Sequence, residues 1–153
     1  LLAIDLSLRG PVWPLLCLGL ALAAFSTGAR LDFARQGNAF DARVFPVAAA
    51  DWLAQNPQEG EMFNSFPWGG YLLYRFWPER AVFIDGQTDF YGEAFTRQYE
   101  QVITRSPGWQ DVLDQYQVAW AILPPGESLA QQLQEDPAWR RVYADETAAI
   151  FAR

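Results

Sequence analysis

Residues 63–91 carry the stretch that decides the fold, FNSFPWGGYLLYRFWPERAVFIDGQTDFY. Its continuous apolar run at 81–85 (AVFID) is typical of a strand that is covered on both faces. Ahead of that run, residues 68–77 place aromatic and leucine side chains at helical spacing, and Pro78 ends the pattern. A short strand, a helix and a second strand in this order predict an α/β domain, with an Asp-Gly turn at Asp85.

The same patterns extend outward along the chain. Strands are predicted at 61–65, 81–85, 119–123, 139–144 and 148–152, and helices at 47–55, 68–77, 92–105, 108–115 and 127–135. Strands that alternate with helices and end in a hairpin predict three layers. We therefore expect an α/β domain whose mixed sheet is parallel at its centre and carries a C-terminal antiparallel hairpin.

Composition excludes several classes of function. The chain of 153 residues has 18 acidic residues against 11 arginines, and it contains no histidine. A net charge of −7 argues against nucleic acid or an anionic membrane surface as the main partner. The absence of histidine removes the commonest metal ligand and the commonest general base, so we expect neither a metal nor another cofactor. The single Cys17 excludes an intrachain disulfide.

An uncharged apolar block, PVWPLLCLGLALAAFST, occupies residues 11–27. Seventeen helical residues rise about 25 Å, the lower limit for crossing a bilayer. The block is predicted to be the last membrane span of a longer protein, because the chain begins without Met and its first residues are largely apolar. Two other interpretations stay open: the core of a signal peptide with small residues at 27–29, and a buried helix of a soluble protein.

The candidate site follows from the ends of the predicted parallel strands. Ligands of open α/β sheets bind beyond the carboxyl ends of such strands, and the strand ends at 64–65, 85–87 and 124–126 should cluster there. Aromatic rings beside carboxylates are typical of a surface that contacts carbohydrate. The predicted ligand-binding residues are Asn64, Trp68, Gly69, Gly70, Tyr71, Asp85, Gln87, Asp89 and Tyr91.

A purely structural interpretation accounts for the same residues. The glycine pair at 69–70 would let helix and sheet pack closely, and Trp68 and Tyr71 would belong to the core. Asp85 would accept hydrogen bonds from turn amides, and Asp89 would cap the following helix. A paired acid/base or a calcium site at the two aspartates is the third interpretation, although their spacing lacks the alternating ligands of a calcium loop. No catalytic residue is predicted.

Several motifs together resemble a known family. They are FNSFPWGGYLLYRFWP, VFIDGQTDFYG, the AWAIL strand, and W-x-x-V-Y-A-D-E-x-A-x-I-F-x-R at the C-terminus. Over residues 11–153 the chain resembles the extracytoplasmic C-terminal domain of bacterial polytopic membrane proteins related to GT-C type glycosyltransferases, the dolichyl-phosphate-mannose–protein mannosyltransferase-like group. Gln87 stands where such proteins usually carry Arg, so the resemblance gives no support for an anion site there.

The resemblance implies that catalysis and the role of this chain belong to different parts of a larger protein. In that family the catalytic acid lies in an early extracytoplasmic loop, so this chain is expected to be a non-catalytic domain that supports or recognises the glycan or lipid-linked acceptor. Residues 1–29 would end the membrane region, 30–44 would be a linker, and 45–153 would form the domain. The chain would lie in the cell membrane through residues 11–27, beside the remaining spans of its parent, with residues 30–153 on the extracytoplasmic side. A secreted or anchored hydrolase using Asp85 and Asp89, and a pure protein-assembly domain, are the alternatives.

Overall fold

The computed structural model describes residues 15–19 and 40–153. Residues 15–19 are helical, and their leucine side chains are exposed. Within these two ranges, no helix combines the length and apolar character that a membrane crossing requires. Most of the predicted span at 11–27 lies outside the described residues, so the span stays a prediction. Phe40–Arg153 forms a compact unit of its own.

The compact unit alternates helices and strands much as the sequence patterns predict. In chain order its elements are α1 (Val47–Gln55), β1 (Glu61–Asn64), a 3-10 turn (Phe66–Trp68), α2 (Gly69–Phe76), α3 (Thr88–Ile103), α4 (Trp109–Gln115), β2 (Val118–Leu123), α5 (Ser128–Glu135), β3 (Arg140–Ala144) and β4 (Ala149–Ala152). All five predicted helices and four of the five predicted strands are confirmed. Helix α3 is broken at Gly92, whose φ of 78° is not helical, so its regular part begins where the helix is predicted to begin.

The four strands form one mixed sheet in the order β1-β2-β4-β3. Strand β1 runs parallel to β2, whereas β4 is antiparallel to both β2 and β3. The C-terminal hairpin is therefore confirmed. The prediction of a parallel centre is wrong, because the hairpin places β4 against β2 and leaves the parallel pair at one side of the sheet.

Residues 81–85, predicted to be a strand, do not form one, and this prediction is also wrong. The buried side chain of Asn64 takes the place of a backbone ladder there. Its Oδ1 accepts hydrogen bonds from the amides of Phe83 (2.8 Å) and Ile84 (3.3 Å), and its Nδ2 donates to the carbonyl of Ile84 (2.9 Å). Phe83 and Ile84 are buried, which explains the apolar run: the run reports burial and not strand pairing.

The sheet is covered on both faces, which confirms the three layers. Successive strand side chains point to opposite faces. Phe63, Ala121 and Phe151 belong to a core cluster with side chains of α3, α4 and α5. Met62, Trp120 and Ile150 belong to a second cluster with side chains of α1 and α2. The domain thus holds a separate hydrophobic core on each face of the sheet.

Candidate functional site

The ends of β1, of residues 81–85 and of β2 meet at one edge of the sheet, as predicted. The amide of Ser65 donates to the carbonyl of Ile122 (3.2 Å), and its hydroxyl donates to Oε1 of Glu127 (2.9 Å). Asn64 joins the same edge to Ile84. The polar side chains gathered here form what we call the carboxyl-edge cluster, made of Asn64, Ser65, Asp85, Tyr99 and Glu127.

The two glycines at the start of α2 differ in what surrounds them. A Cβ atom at Gly69 would collide with the carbonyl oxygen of Ile84 and would lie 2.6 Å from Cα of Asp85. A Cβ atom at Gly70 would meet nothing within 4 Å. Only Gly69 therefore allows α2 to approach the 81–85 segment closely, while Gly70 is exposed at the surface.

Asp85 is turned inward at the end of that segment. Its side chain is buried, and Oδ1 accepts a hydrogen bond from the amide of Gln87 (2.9 Å). Partial burial raises the pKa of the Tyr91 hydroxyl, and the nearby Asp85 carboxylate raises it further. Asp85 thus stabilises the turn by the role that the structural interpretation assigned to it.

Trp68 and Tyr71 are buried against the start of the domain. The indole Nε1 of Trp68 donates to the carbonyl of Val44 (2.9 Å), and the Tyr71 hydroxyl accepts from Arg75 (2.6 Å). The Tyr71 ring also lies 4.6 Å from that of Phe40, centroid to centroid. Each ring is less than 5% exposed, so neither presents an open face on which a sugar could stack.

The exposed part of the candidate site lies just beyond Asp85, at Gln87, Asp89 and Phe90, which we call the 87–90 surface. Phe90 is 83% exposed and contacts the half-buried Tyr91 edge to face, with 5.7 Å between ring centroids. The sequence interpretation missed Phe90. The sequence does carry a signal for the exposure of Phe90. Aromatic residues recur every four positions, at Tyr91, Phe95 and Tyr99, and form the inward stripe of α3. Phe90 lies outside that stripe.

Asp89 lines an open depression of about 420 Å³ together with Gly92, Glu93 and Thr96. Asp85 is not among the lining residues, so this depression does not bring the two aspartates together. Glu93 is engaged by Arg97 through an ion pair of 2.9 Å. Over residues 15–19 and 40–153, no group of three or more histidine, cysteine or acidic side chains is placed to hold a metal ion.

Glu127 is a second residue that the sequence interpretation missed. The turn after β2, in which the Glu127 amide donates to the carbonyl of Pro124 (3.1 Å), places its carboxylate in the carboxyl-edge cluster. Its Oε2 atom is buried and has no hydrogen-bond partner among the described residues. Burial raises the pKa of Glu127, and the Ser65 hydroxyl offsets part of that effect. Burial also raises the pKa of Tyr99 to about 12, against the opposing hydrogen bond from the amide of Phe66.

No protein-family model matches the sequence, and no curated protein matches it either. The comparison with solved structures does find similarity. The compact unit resembles the C-terminal globular domain of an oligosaccharyltransferase. That domain comes from Archaeoglobus fulgidus, and it aligns with a TM-score of 0.52 and 12% sequence identity over 69% of this chain and 94% of the archaeal chain. At this identity the likeness establishes a shared fold.

The buried Oε2 atom of Glu127, unpaired within the part of the chain that the structure describes, leads to a prediction about how the stability of the domain depends on pH. The folded state raises the pKa of Glu127 above its value of 4.5 in the unfolded chain, so folding favours the protonated acid. Its stabilising contribution is complete below pH 4.5 and is lost as the pH rises through the folded-state pKa. Glutamine mimics the protonated acid, so Glu127→Gln should raise the melting temperature at pH 7 and change it little at pH 4. Thermal unfolding at both pH values tests this.

The matched control for that experiment is Glu59→Gln, which changes an exposed glutamate. We expect similar melting temperatures for this variant and the unmodified protein at either pH. A Glu127→Gln variant that is less stable at pH 7 than at pH 4, relative to the unmodified protein, would show that the ionised carboxylate stabilises the carboxyl-edge cluster.

Proposed function

We propose that this chain is the C-terminal part of a bacterial polytopic membrane protein related to GT-C type glycosyltransferases of the dolichyl-phosphate-mannose–protein mannosyltransferase-like group. In this proposal residues 45–153 form a non-catalytic domain that supports or recognises the glycan or lipid-linked acceptor. The observation that carries it is the fold shared with the C-terminal globular domain of an oligosaccharyltransferase. The sequence motifs at 63–92 and 139–153 support the same parentage independently of the fold.

The proposal includes a place in the cell. Residues 1–29 end the membrane region, residues 30–44 connect it to the domain, and residues 30–153 lie on the extracytoplasmic side. The uncharged block at 11–27 supports this arrangement, because its length meets the lower limit for a bilayer crossing. Partners would then be the bilayer, the other spans of the parent, and a carbohydrate or lipid-linked sugar.

We assign the recognition of sugar to the exposed 87–90 surface. A sugar ring can stack its apolar face on an aromatic ring while its hydroxyls bond to carboxylate and amide groups. Phe90 supplies the exposed ring, and Gln87 and Asp89, which precede it in the chain, supply the polar groups. The buried members of the predicted site shape this surface from below: Asn64, Gly69 and Asp85 fix the turn, and Trp68 and Tyr71 fix the start of α2.

Replacing Phe90 tests this assignment. We expect titration of the domain with methyl α-mannoside to shift amide NMR signals at 87–91, and we expect Phe90→Ala to weaken that binding about tenfold, because an exposed aromatic ring covered by a ligand contributes roughly 1.5 kcal/mol or more. Phe90 packs little in the free domain, so the variant should fold normally.

Tyr74→Ala is the matched control, since Tyr74 is 73% exposed and lies on α2. It should bind the sugar as the unmodified domain does. Signal shifts that avoid 87–91, or equal losses in the two variants, would contradict the assignment of the 87–90 surface.

A further inference from the structure

A second exposed apolar surface lies at the start of the domain and along α2. It consists of Phe40, Val44, Tyr74 and Trp77, which we call the α2 patch. These side chains are 38%, 58%, 73% and 68% exposed, respectively. Tyr74 and Trp77 are one helical turn apart, and the Trp77 amide still donates to the carbonyl of Leu73, so their side chains leave the same side of the helix. The recognition of sugar proposed above does not use these residues.

The α2 patch is a fixed surface. The Phe40 ring contacts that of Tyr74, with 5.7 Å between centroids, and packs edge to face on Tyr71. The carbonyl of Val44 accepts the indole hydrogen of Trp68, and the carbonyl of Ala42 accepts the hydroxyl hydrogen of Thr147 (2.9 Å). Residues 40–44, which the sequence prediction placed in the linker, are therefore tied to two elements of the domain.

Two ion pairs lie beside members of the α2 patch. Arg43 forms an ion pair with Asp41 (2.8 Å), and Arg75 forms one with Asp51 (2.6 Å). The hydrogen bonds from Arg43 lower the pKa of Asp41 to about 2, so this carboxylate stays ionised over the physiological range. The patch therefore combines large amphipathic rings with two neighbouring ion pairs.

We propose that the α2 patch rests on the headgroup region of a zwitterionic lipid bilayer. Tryptophan and tyrosine are enriched at that level of membranes, where an apolar ring body and a polar tip are both satisfied. Only twelve residues, 28–39, separate the patch from the uncharged block at 11–27, a connection that spans at most about 47 Å. This inference rests on the membrane attachment contained in the proposed function.

The net charge of the domain determines which lipid surface it can approach. Residues 40–153 carry eight arginines against sixteen acidic residues, a net charge of −8. An anionic surface would repel such a domain, and no unpaired basic cluster rims the described patch. The attraction is therefore apolar and interfacial, and it should be strongest for lipids without net charge.

Vesicle binding by residues 30–153 tests the proposal. This segment contains the compact unit with both of its core clusters, so it carries what it needs to fold. We expect it to cosediment with phosphatidylcholine vesicles at millimolar lipid, and we expect Tyr74→Ser/Trp77→Ser to reduce the partition coefficient about tenfold or more. Both side chains are mostly exposed, and an unchanged melting temperature would verify that the double variant is folded.

Phe90→Ser is the control for nonspecific hydrophobic binding, because Phe90 is the most exposed large apolar side chain of the domain. It should bind the vesicles as the unmodified segment does, and added phosphatidylglycerol should weaken binding.

Absence of binding, an equal loss in the Phe90 variant, or stronger binding to phosphatidylglycerol would overturn the proposal. A concentration-dependent dimer without lipid that the double variant abolishes would also overturn it, in favour of a second copy. The vesicles contain no sugar and the sugar titration contains no lipid, so failure of one proposal is distinguishable from failure of the other.

Discussion

Asn64→Ala should lower the free energy of unfolding by about 3–5 kcal/mol, the largest effect that we expect from any polar substitution in this domain. The buried Asn64 side chain makes three hydrogen bonds to the backbone of Phe83 and Ile84, which hold these residues beside β1, and it also donates to the carbonyl of Ser65 (3.0 Å). Alanine would leave buried backbone donors and acceptors without partners, each at a cost of about 1–3 kcal/mol. Urea denaturation followed by circular dichroism measures the loss.

Two further variants make this experiment specific. Asn64→Asp keeps the size of the side chain but replaces the donor by a charged acceptor that faces the carbonyl of Ile84, so it should be at least as harmful as alanine. Asn56→Ala removes an exposed asparagine that donates to the carbonyl of Trp52 (3.0 Å), and it should cost less than about 1 kcal/mol. A loss at Asn64 no greater than that at Asn56 would mean that residues 81–85 are held by other contacts.

Gly69→Ala should destabilise the domain by about 3 kcal/mol or more, whereas Gly70→Ala should be neutral or slightly stabilising. Gly69 has a helical φ of −54°, so its backbone would accept alanine without strain. The cost is steric, because the new methyl group would enter the backbone of Ile84 and Asp85, which cannot give way as a flexible side chain can. At Gly70 the methyl group meets nothing within 4 Å, and alanine gains up to about 1 kcal/mol of helix propensity.

The adjacent glycines provide their own control, since the two substitutions are chemically identical and one residue apart. Midpoints of urea denaturation for both variants are sufficient to compare them. Equal stabilities would show that α2 can move away from the 81–85 segment at little cost, and the close approach at Gly69 would then be unimportant for the fold.

Local pattern predicted most of this fold, because most elements bury one face and show that face as a period. The helical spacing of Tyr71, Leu72 and Phe76 in α2, and the apolar run of β2, are of this kind. Residues 81–85 are the exception. Their apolar run reflects burial, and the sequence does not reveal that a side chain, Asn64, supplies the hydrogen bonds that a neighbouring strand would supply.

The order of the strands in the sheet is harder to predict from the sequence pattern, for a related reason. Which strand β4 pairs with depends on the path of the hairpin through space, and the alternation within β4 is the same beside β1 or β2. The parallel centre was predicted from the alternation of strands and helices, which constrains the layers of an α/β domain more strongly than the order of its strands.

The candidate site, too, could be predicted from the sequence only in part. The clustering of strand ends followed from topology and is confirmed by two hydrogen bonds, from Asn64 to the carbonyl of Ile84 and from the amide of Ser65 to the carbonyl of Ile122. Residue type alone could not separate buried rings from exposed ones, so Trp68 and Tyr71 were predicted where Phe90 is the accessible ring. Ligand binding by any of these residues stays a prediction.

Glycosyl transfer by the proposed full-length parent protein tests the central claim most directly. Transfer from a lipid-linked sugar to an acceptor would be measured for the parent, for the parent lacking residues 45–153 at an equal level in the membrane, and for residues 30–153 alone. We expect no turnover by the isolated segment. For the truncated parent we expect a raised KM for the acceptor and a largely retained kcat. Turnover by the isolated segment, abolished by Asp89→Asn, would contradict the account and identify the domain as an enzyme in its own right.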